Sequence, residues 1–337
     1  MTKGMGIARH AIPRLPRPQH DGAMERMNGQ FKRIAIVGSG AIGLYYGGRL
    51  AAAGEDVHFL LRSDYEGIRA NGLKAESVHG DFQLPAPQVW RDSRDIGPVD
   101  LVVITWKATA NPILHKVLPP LLHPSSIVLT LQNGLGNCEA IESVTGPRHP
   151  IVGGLCFVCI NRIEPGLVRH TAGGRVSIGA WHPSADAAAR EITARFKAAG
   201  IHASQVENLQ RAQWEKLIWN IPFNGLSVAE GGVTTDVLLA DPRTEAEMRA
   251  LMHEVIAAGR ALGLDLADDL ATHNIERTRP MGAYRTSSMI DFVEGREVEV
   301  VPIWEEPLRQ ARAAGVTMPR LEALLERIRE RIKHRKS

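Results

Sequence analysis

Cysteine is scarce in this chain. Cys138, Cys156 and Cys159 are the three thiols among 337 residues, which excludes a disulfide-stapled scaffold. Cys156 and Cys159 are spaced C-x-x-C but lie inside the apolar run Gly154-Leu-Cys-Phe-Val-Cys-Ile160. They read as small buried residues, not as a metal or redox pair. A reducing, cytoplasmic setting is the expectation. Surplus charge is lacking too: 40 Lys and Arg stand against 37 Asp and Glu, a net +3, with both signs spread along the chain. That balance argues against nucleic acid as a partner. No apolar run reaches transmembrane length, and the first residues lack the apolar middle of a secretory signal, so no membrane is expected. Residues 1–30 carry Lys3, Arg9, Arg14, Arg17 and Arg26 among prolines and glycines. They are expected to form a disordered extension outside the fold.

Hydrophobic residues make up 44% of the chain, enough for a substantial core, and the length suggests two domains of ordinary size. Strands and helices alternate from Lys32 to about Val206. The expected strands are Ile34–Val37, Asp56–Leu61, Leu73–Val78, Phe82–Leu84, Val99–Thr105 and Ser126–Leu131, then Pro150–Ile160, Leu167–Thr171, Arg175–Gly179 and Ile201–Val206. Helices are expected after Gly43 and over Asn111–Leu122, Gly136–Val144 and Ala185–Ala199. This is the pattern of an α/β doubly wound sheet over 31–207. Beyond Asn208 the strand signals fade, and helices are expected over Leu209–Ser227, Pro242–Leu262, Leu266–Arg279, Val301–Ala314 and Pro319–Ile332. The second domain, 208–337, should be mainly α-helical. There is no internal repeat.

The most informative stretch is Ile34-Ala-Ile-Val-Gly38-Ser39-Gly40-Ala41-Ile42-Gly43, a strand that breaks into G-x-G-x-x-G before a helical segment. Gly38 permits the tight turn, Gly40 lets backbone approach a pyrophosphate, and Gly43 lets helix pack on strand. The unpaired N–H groups at the helix start suit the ligand's charge. Dinucleotide binding is the reading. An NAD site wants an acid about 20 residues past the glycines. The second strand instead ends His58-Phe-Leu-Leu-Arg62-Ser63. Arg62 can pair with a 2′-phosphate, helped by the Ser63 hydroxyl, so NADP is the expected cofactor.

A second chemistry-bearing segment is Trp214-Glu-Lys216-Leu-Ile-Trp-Asn220-Ile-Pro-Phe-Asn224. Lys216, Asn220 and Asn224 recur every four residues and form one helical stripe among large apolar neighbours. A buried polar stripe must face a partner, a ligand or a wet cleft. One reading is a polar network tying helices together; the other is a binding site. Pro222 withholds one helical hydrogen bond. Lys107 and Asn133 follow strand ends, where open α/β sheets place their ligand crevice.

With these segments in hand, the chain resembles the ketopantoate reductase (2-dehydropantoate 2-reductase) family from about Arg33 to Arg327. The resemblance rests on Val37–Gly43, Ile104-Thr-Trp-Lys107, Leu131-Gln-Asn-Gly134, Trp214-Glu-Lys216 with Asn220 and Asn224, and Thr286-Ser-Ser-Met289. It implies a Rossmann domain, a helical domain and a site in the cleft between them. The implied reaction is NADPH-dependent reduction of ketopantoate to pantoate, a step toward pantothenate and coenzyme A. It further implies that Lys216 is the catalytic lysine and Glu299 the active-site acid. Asn133, Asn220, Asn224 and Ser288 would line the substrate, and Lys107 and Asn133 would contact the cofactor. The stretch Ser288-Met-Ile-Asp-Phe is one residue shorter than the family's usual form, which moves Glu299 one position toward Ser288. No metal is implied, and a homodimer stands open. Two other readings are a related reductase of another small 2-keto acid and a non-catalytic NADP-binding regulator.

Overall fold

A computed structural model describes residues 31–335. The disordered extension expected over 1–30 lies outside the described residues. In β1 (Arg33–Val37), Ile34 and Ile36 point into one core while Ala35 and Val37 point into another. Side chains alternate along a strand, and a parallel strand covered on both faces must therefore be apolar throughout. After Gly38 come α1 (Ala41–Ala52), β2 (Asp56–Leu60), α2 (Tyr65–Asn71), β3 (Leu73–Ser77), β4 (Phe82–Leu84), β5 (Gln88–Trp90) and α3 (Ser93–Ile96). Then follow β6 (Leu101–Ile104), α4 (Leu114–Val117), β7 (Ile127–Thr130) and α5 (Asn137–Thr145). Two long strands, β8 (Ile151–Glu164) and β9 (Leu167–Ala180), lead through α6 (Asp186–Ala198) to β10 (Ala203–Gln205).

The strand order is β4-β3-β9-β8-β7-β6-β1-β2-β5, with β10 added on β9. From β8 to β5 all neighbours are parallel, while β8–β9 and β3–β4 are antiparallel. Leu44, Tyr46 and Phe196 from α1 and α6 cover one face; Leu114, Cys138 and Ile141 from α4 and α5 cover the other. The sheet is doubly wound, as its alternating sequence pattern implies.

Two local expectations need correction here. The helix expected over 111–122 is broken into 3-10 turns at Ala108–Ile113 and Pro119–Leu121 around the short α4. Pro112, Pro119 and Pro120 lack the N–H groups a continuous helix needs. The two strand pieces expected at 167–171 and 175–179 are one strand, β9, because a bulge at Gly174 absorbs the irregularity between them. The elements α2, β5 and α3 are too short to show a period in sequence.

Beyond β10 the described residues contain only helices: α7 (Leu209–Ala229), α8 (Thr235–Ala240), α9 (Pro242–Ala261), α10 (Leu270–Thr278), α11 (Ser287–Val293), α12 (Glu306–Ala313) and α13 (Pro319–His334). The helix expected at 266 starts only at Leu270, and the one expected at 301 opens with a π-helical turn, Val301–Glu305. The axis of this half is α7, whose Ile218, Ile221, Phe223 and Leu226 are fully buried. It packs against α9, α11 and α13 and runs unbroken through Pro222. Residues 31–335 belong to a single compact unit.

Candidate active site

The carboxyl ends of β6 and β7 open into loops, the place where open α/β sheets bind ligands. After β7 the loop is held by side-chain amides. Asn111 Oδ1 accepts from Gln132 Nε2 (2.8 Å) and Trp106 Nε1 (3.1 Å), and its Nδ2 donates to Asn137 Oδ1 (3.0 Å). Asn137 Nδ2 in turn donates to the Asn133 carbonyl at 3.0 Å. Gly134 has φ +79°, and a Cβ there would overlap the Pro302 carbonyl. That same carbonyl accepts the Leu135 N–H at 2.9 Å. The π-helical turn therefore clamps the loop from the helical half, and π turns are often found where a site needs such a departure from α geometry.

The clamp aims Asn133 at α7. Lys216 Nζ donates to Asn133 Oδ1 at 2.8 Å and to the Cys156 carbonyl at 2.9 Å. It also lies 5.3 Å from the centre of the Phe157 ring. Desolvation lowers the Lys216 pKa, while the Glu299 carboxylate opposes that fall. Burial pushes the Cys156 thiol up to about 11, so at neutral pH it is a neutral neighbour. Two of the three ammonium protons are committed to fixed acceptors, and the third is free for a ligand. Lys216 and Asn220 line one cavity with Thr130, Gln132, Gly154 and Gln213. The Asn220 amide makes no hydrogen bond among the described residues.

Not every residue of the expected set faces this cavity. Asn224 is buried, and its Oδ1 accepts the Ser288 N–H at 2.9 Å and the Ser287 hydroxyl at 3.3 Å. It ties α7 to the start of α11. Thr286, not Ser288, caps α11 through the Met289 N–H, which leaves the Ser288 hydroxyl without a role in the cap. Glu299 is half-buried, and its Oε1 accepts the Ala108 N–H at 2.7 Å. Burial raises its pKa, although the Ala108 amide and the Lys107 and Lys216 charges pull the other way. Lys107 Nζ bridges Asp291 Oδ1 (2.7 Å) and the Glu297 carbonyl (2.8 Å), linking the end of β6 to α11 and the segment after it. The Asn111–Gln132–Asn137 network, the Cys156 carbonyl and Asp291 were not found by sequence reasoning. Amides and main-chain carbonyls leave no spacing signal, and Asp291 would have been found only as a buried acid on α11.

At the same carboxyl edge of the sheet, beside the end of β6, the glycine turn after β1 has the shape a dinucleotide needs. Gly38 has φ +125°, and a Cβ on it would reach 2.5 Å from the Trp106 amide. A Cβ on Gly43 would overlap the Gly38 carbonyl, whereas Gly40 meets nothing within 4 Å and leaves its backbone open to a ligand. The first turn of α1 carries no acid, so its free N–H groups and dipole face an anion unopposed. Arg62 and Ser63 are exposed just past β2; the Arg62 guanidinium has no partner among the described residues, and the Ser63 hydroxyl donates to Asp64 Oδ1 at 2.8 Å.

A glycine turn shaped for a dinucleotide at one strand end, together with a desolvated, amide-held lysine, is the constellation of a nicotinamide-dinucleotide oxidoreductase. The chain belongs to the ketopantoate reductase family: the family model Ketopantoate reductase PanE/ApbA matches residues 34–183, and its C-terminal counterpart matches 208–332. A 2-dehydropantoate 2-reductase of Nostoc sp. is 40% identical over 303 residues, covering 88% of this chain and 94% of the relative. A crystal structure of 2-dehydropantoate 2-reductase from Geobacter metallireducens superposes with a TM-score of 0.85 at 44% identity, covering 88% of this chain and 99% of that one. One from Methylococcus capsulatus has a TM-score of 0.82 at 29% identity, covering 90% and 98%.

Proposed function

We propose that this chain reduces 2-dehydropantoate to pantoate with NADPH, in the branch leading to pantothenate and coenzyme A. The relatives bearing that name span nearly the full described length. The single observation that carries the chemistry is the Lys216 ammonium, held by Asn133 and Cys156 with one proton unspent. In this reading residues 31–207 bind the cofactor and 208–337 complete the substrate site.

When bound, the dinucleotide supplies a hydride to the C2 carbonyl carbon, and the chain's own residues do the rest. The backbone from Gly38 to Gly43, including Ser39, Ala41 and Ile42, receives the pyrophosphate. Arg62 takes the 2′-phosphate that distinguishes NADPH, and Lys107 and Asn133 complete the cofactor side of the cleft. Lys216 donates to the carbonyl oxygen, stabilises the charge that develops there and delivers the proton that makes it a hydroxyl. Its lowered pKa brings that proton closer to transfer at working pH than in an exposed lysine. Glu299 holds the opposing charge that keeps Lys216 protonated. Asn220 and the Ser288 hydroxyl offer polar contacts to carboxylate and hydroxyl, and Asn224 holds Ser288 in place. Among the described residues no helix is long and apolar enough to cross a membrane. All three cysteines are free, which suits a reducing cytoplasm.

The test is substrate-dependent oxidation of NADPH with 2-dehydropantoate, pyruvate and 2-oxoisovalerate. A kcat/KM highest for 2-dehydropantoate is expected. A preference for one of the other acids moves the assignment to a related reductase, and no turnover with any of them refutes it.

A further inference from the structure

Two opposed signals meet just beyond β2. Arg62 is the residue a 2′-phosphate wants, but a carboxylate stands two positions later, and an acid at this end of a nucleotide fold favours a bare ribose diol. Asp64 is only 2% exposed. Its two oxygens each accept from Arg162 Nη1 at 2.7 Å, and Oδ1 also accepts from the Ser63 hydroxyl. Arg162 arrives from 98 residues away, near the tip of the β8–β9 arm. That tip is pinned on α2 and the turn after it. A Cβ on Gly166 would stand 2.6 Å from the Gly72 carbonyl, and one on Gly67 would stand 2.9 Å from Pro165. The parallel pairing of Lys74–Ser77 with Leu167–His170 fixes the arm's register beside it.

We propose that Arg162 is a specificity-determining residue for the cofactor. It acts as a positioning residue, through Asp64, and touches no ligand itself. An unneutralised Asp64 would do two things against NADPH: draw the nearby Arg62 guanidinium to itself, and repel the 2′-phosphate. By claiming Asp64, Arg162 leaves Arg62 free, and Arg62 is indeed unpartnered and exposed among the described residues. The arm thus sets cofactor preference from a strand that lies four places from β2 in the sheet. This inference rests on the NADPH reading above.

The experiment measures NADPH and NADH dissociation constants by cofactor fluorescence on the full chain and its variants. The wild type should bind NADPH the more tightly; without that preference the NADPH reading falls, and this inference with it. Arg162→Gln should weaken NADPH about tenfold, the effect of about 1.4 kcal/mol, and change NADH less than about threefold. Arg162→Lys should keep the wild-type ratio, and Asp64→Asn with Arg162→Gln should restore it. Asp64→Asn alone should raise the NADPH-to-NADH preference, which keeps the proposal testable if Arg162→Gln fails to fold. A pair that serves only as a structural staple would lower Tm and leave the ratio unchanged in every soluble variant. That result, with wild-type NADPH preference intact, overturns the role of Arg162 alone.

Discussion

The glycine turn and the lysine cavity are built by opposite means. The turn is a backbone device: three glycines within six residues set its shape, and the polar groups it presents are main-chain N–H donors at the start of α1. The cavity is assembled from side chains far apart in sequence, with Asn133 and Lys216 separated by 83 residues and joined by one hydrogen bond. A local device tolerates change elsewhere but not within itself. A composite device depends on every element that aims it.

The largest expected effect separates the two directly. Lys216→Ala should lower kcat about 10³-fold, the range for a lost general acid, while NADPH affinity by fluorescence titration stays within about threefold. Retained turnover would show that the proton comes from elsewhere. Next is Gly43→Ala, whose Cβ would overlap the Gly38 carbonyl. Overpacking of this kind costs about 1–3 kcal/mol, so cofactor affinity should fall about tenfold or more with little change in kcat at saturating cofactor. The two variants together form a crossed pair of losses, and a common loss in both would erase the distinction.

Smaller effects sharpen it. The carboxylate of Glu299 raises the Lys216 pKa against the desolvation that lowers it. A general acid must be protonated, so the reduction rate should fall as pH rises through the Lys216 pKa. Glu299→Gln removes the raising charge, and the alkaline limb of the kcat profile should move to lower pH by about half a unit to one unit. An unmoved limb would mean that Glu299 does not act through Lys216.

How much of this was legible in sequence follows the same division. Gly38, Gly40 and Gly43 announced the turn because each is needed for a local steric reason. The stripe of Lys216, Asn220 and Asn224 was visible because α7 is otherwise apolar, yet the structure sends its members to different places. Lys216 and Asn220 face the cavity, whereas Asn224 holds α11. A four-residue spacing puts side chains on one face, but the helix is long enough for that face to pass two different neighbours. The helix expected at 111–122 failed for an equally physical reason: three prolines broke an apolar period that looked continuous.

From its residues alone the chain determined the doubly wound sheet, the helical second half and the glycine turn, because each depends on periodicity or on the conformational freedom of single glycines. Only the tertiary structure decided which carbonyl and which amide hold Lys216, that the Val301–Glu305 turn clamps the Asn133 loop, and that Arg162 meets Asp64. Hydrogen-bond partners and desolvation are set by what folds into contact across tens of residues, and no spacing along the chain encodes that distance.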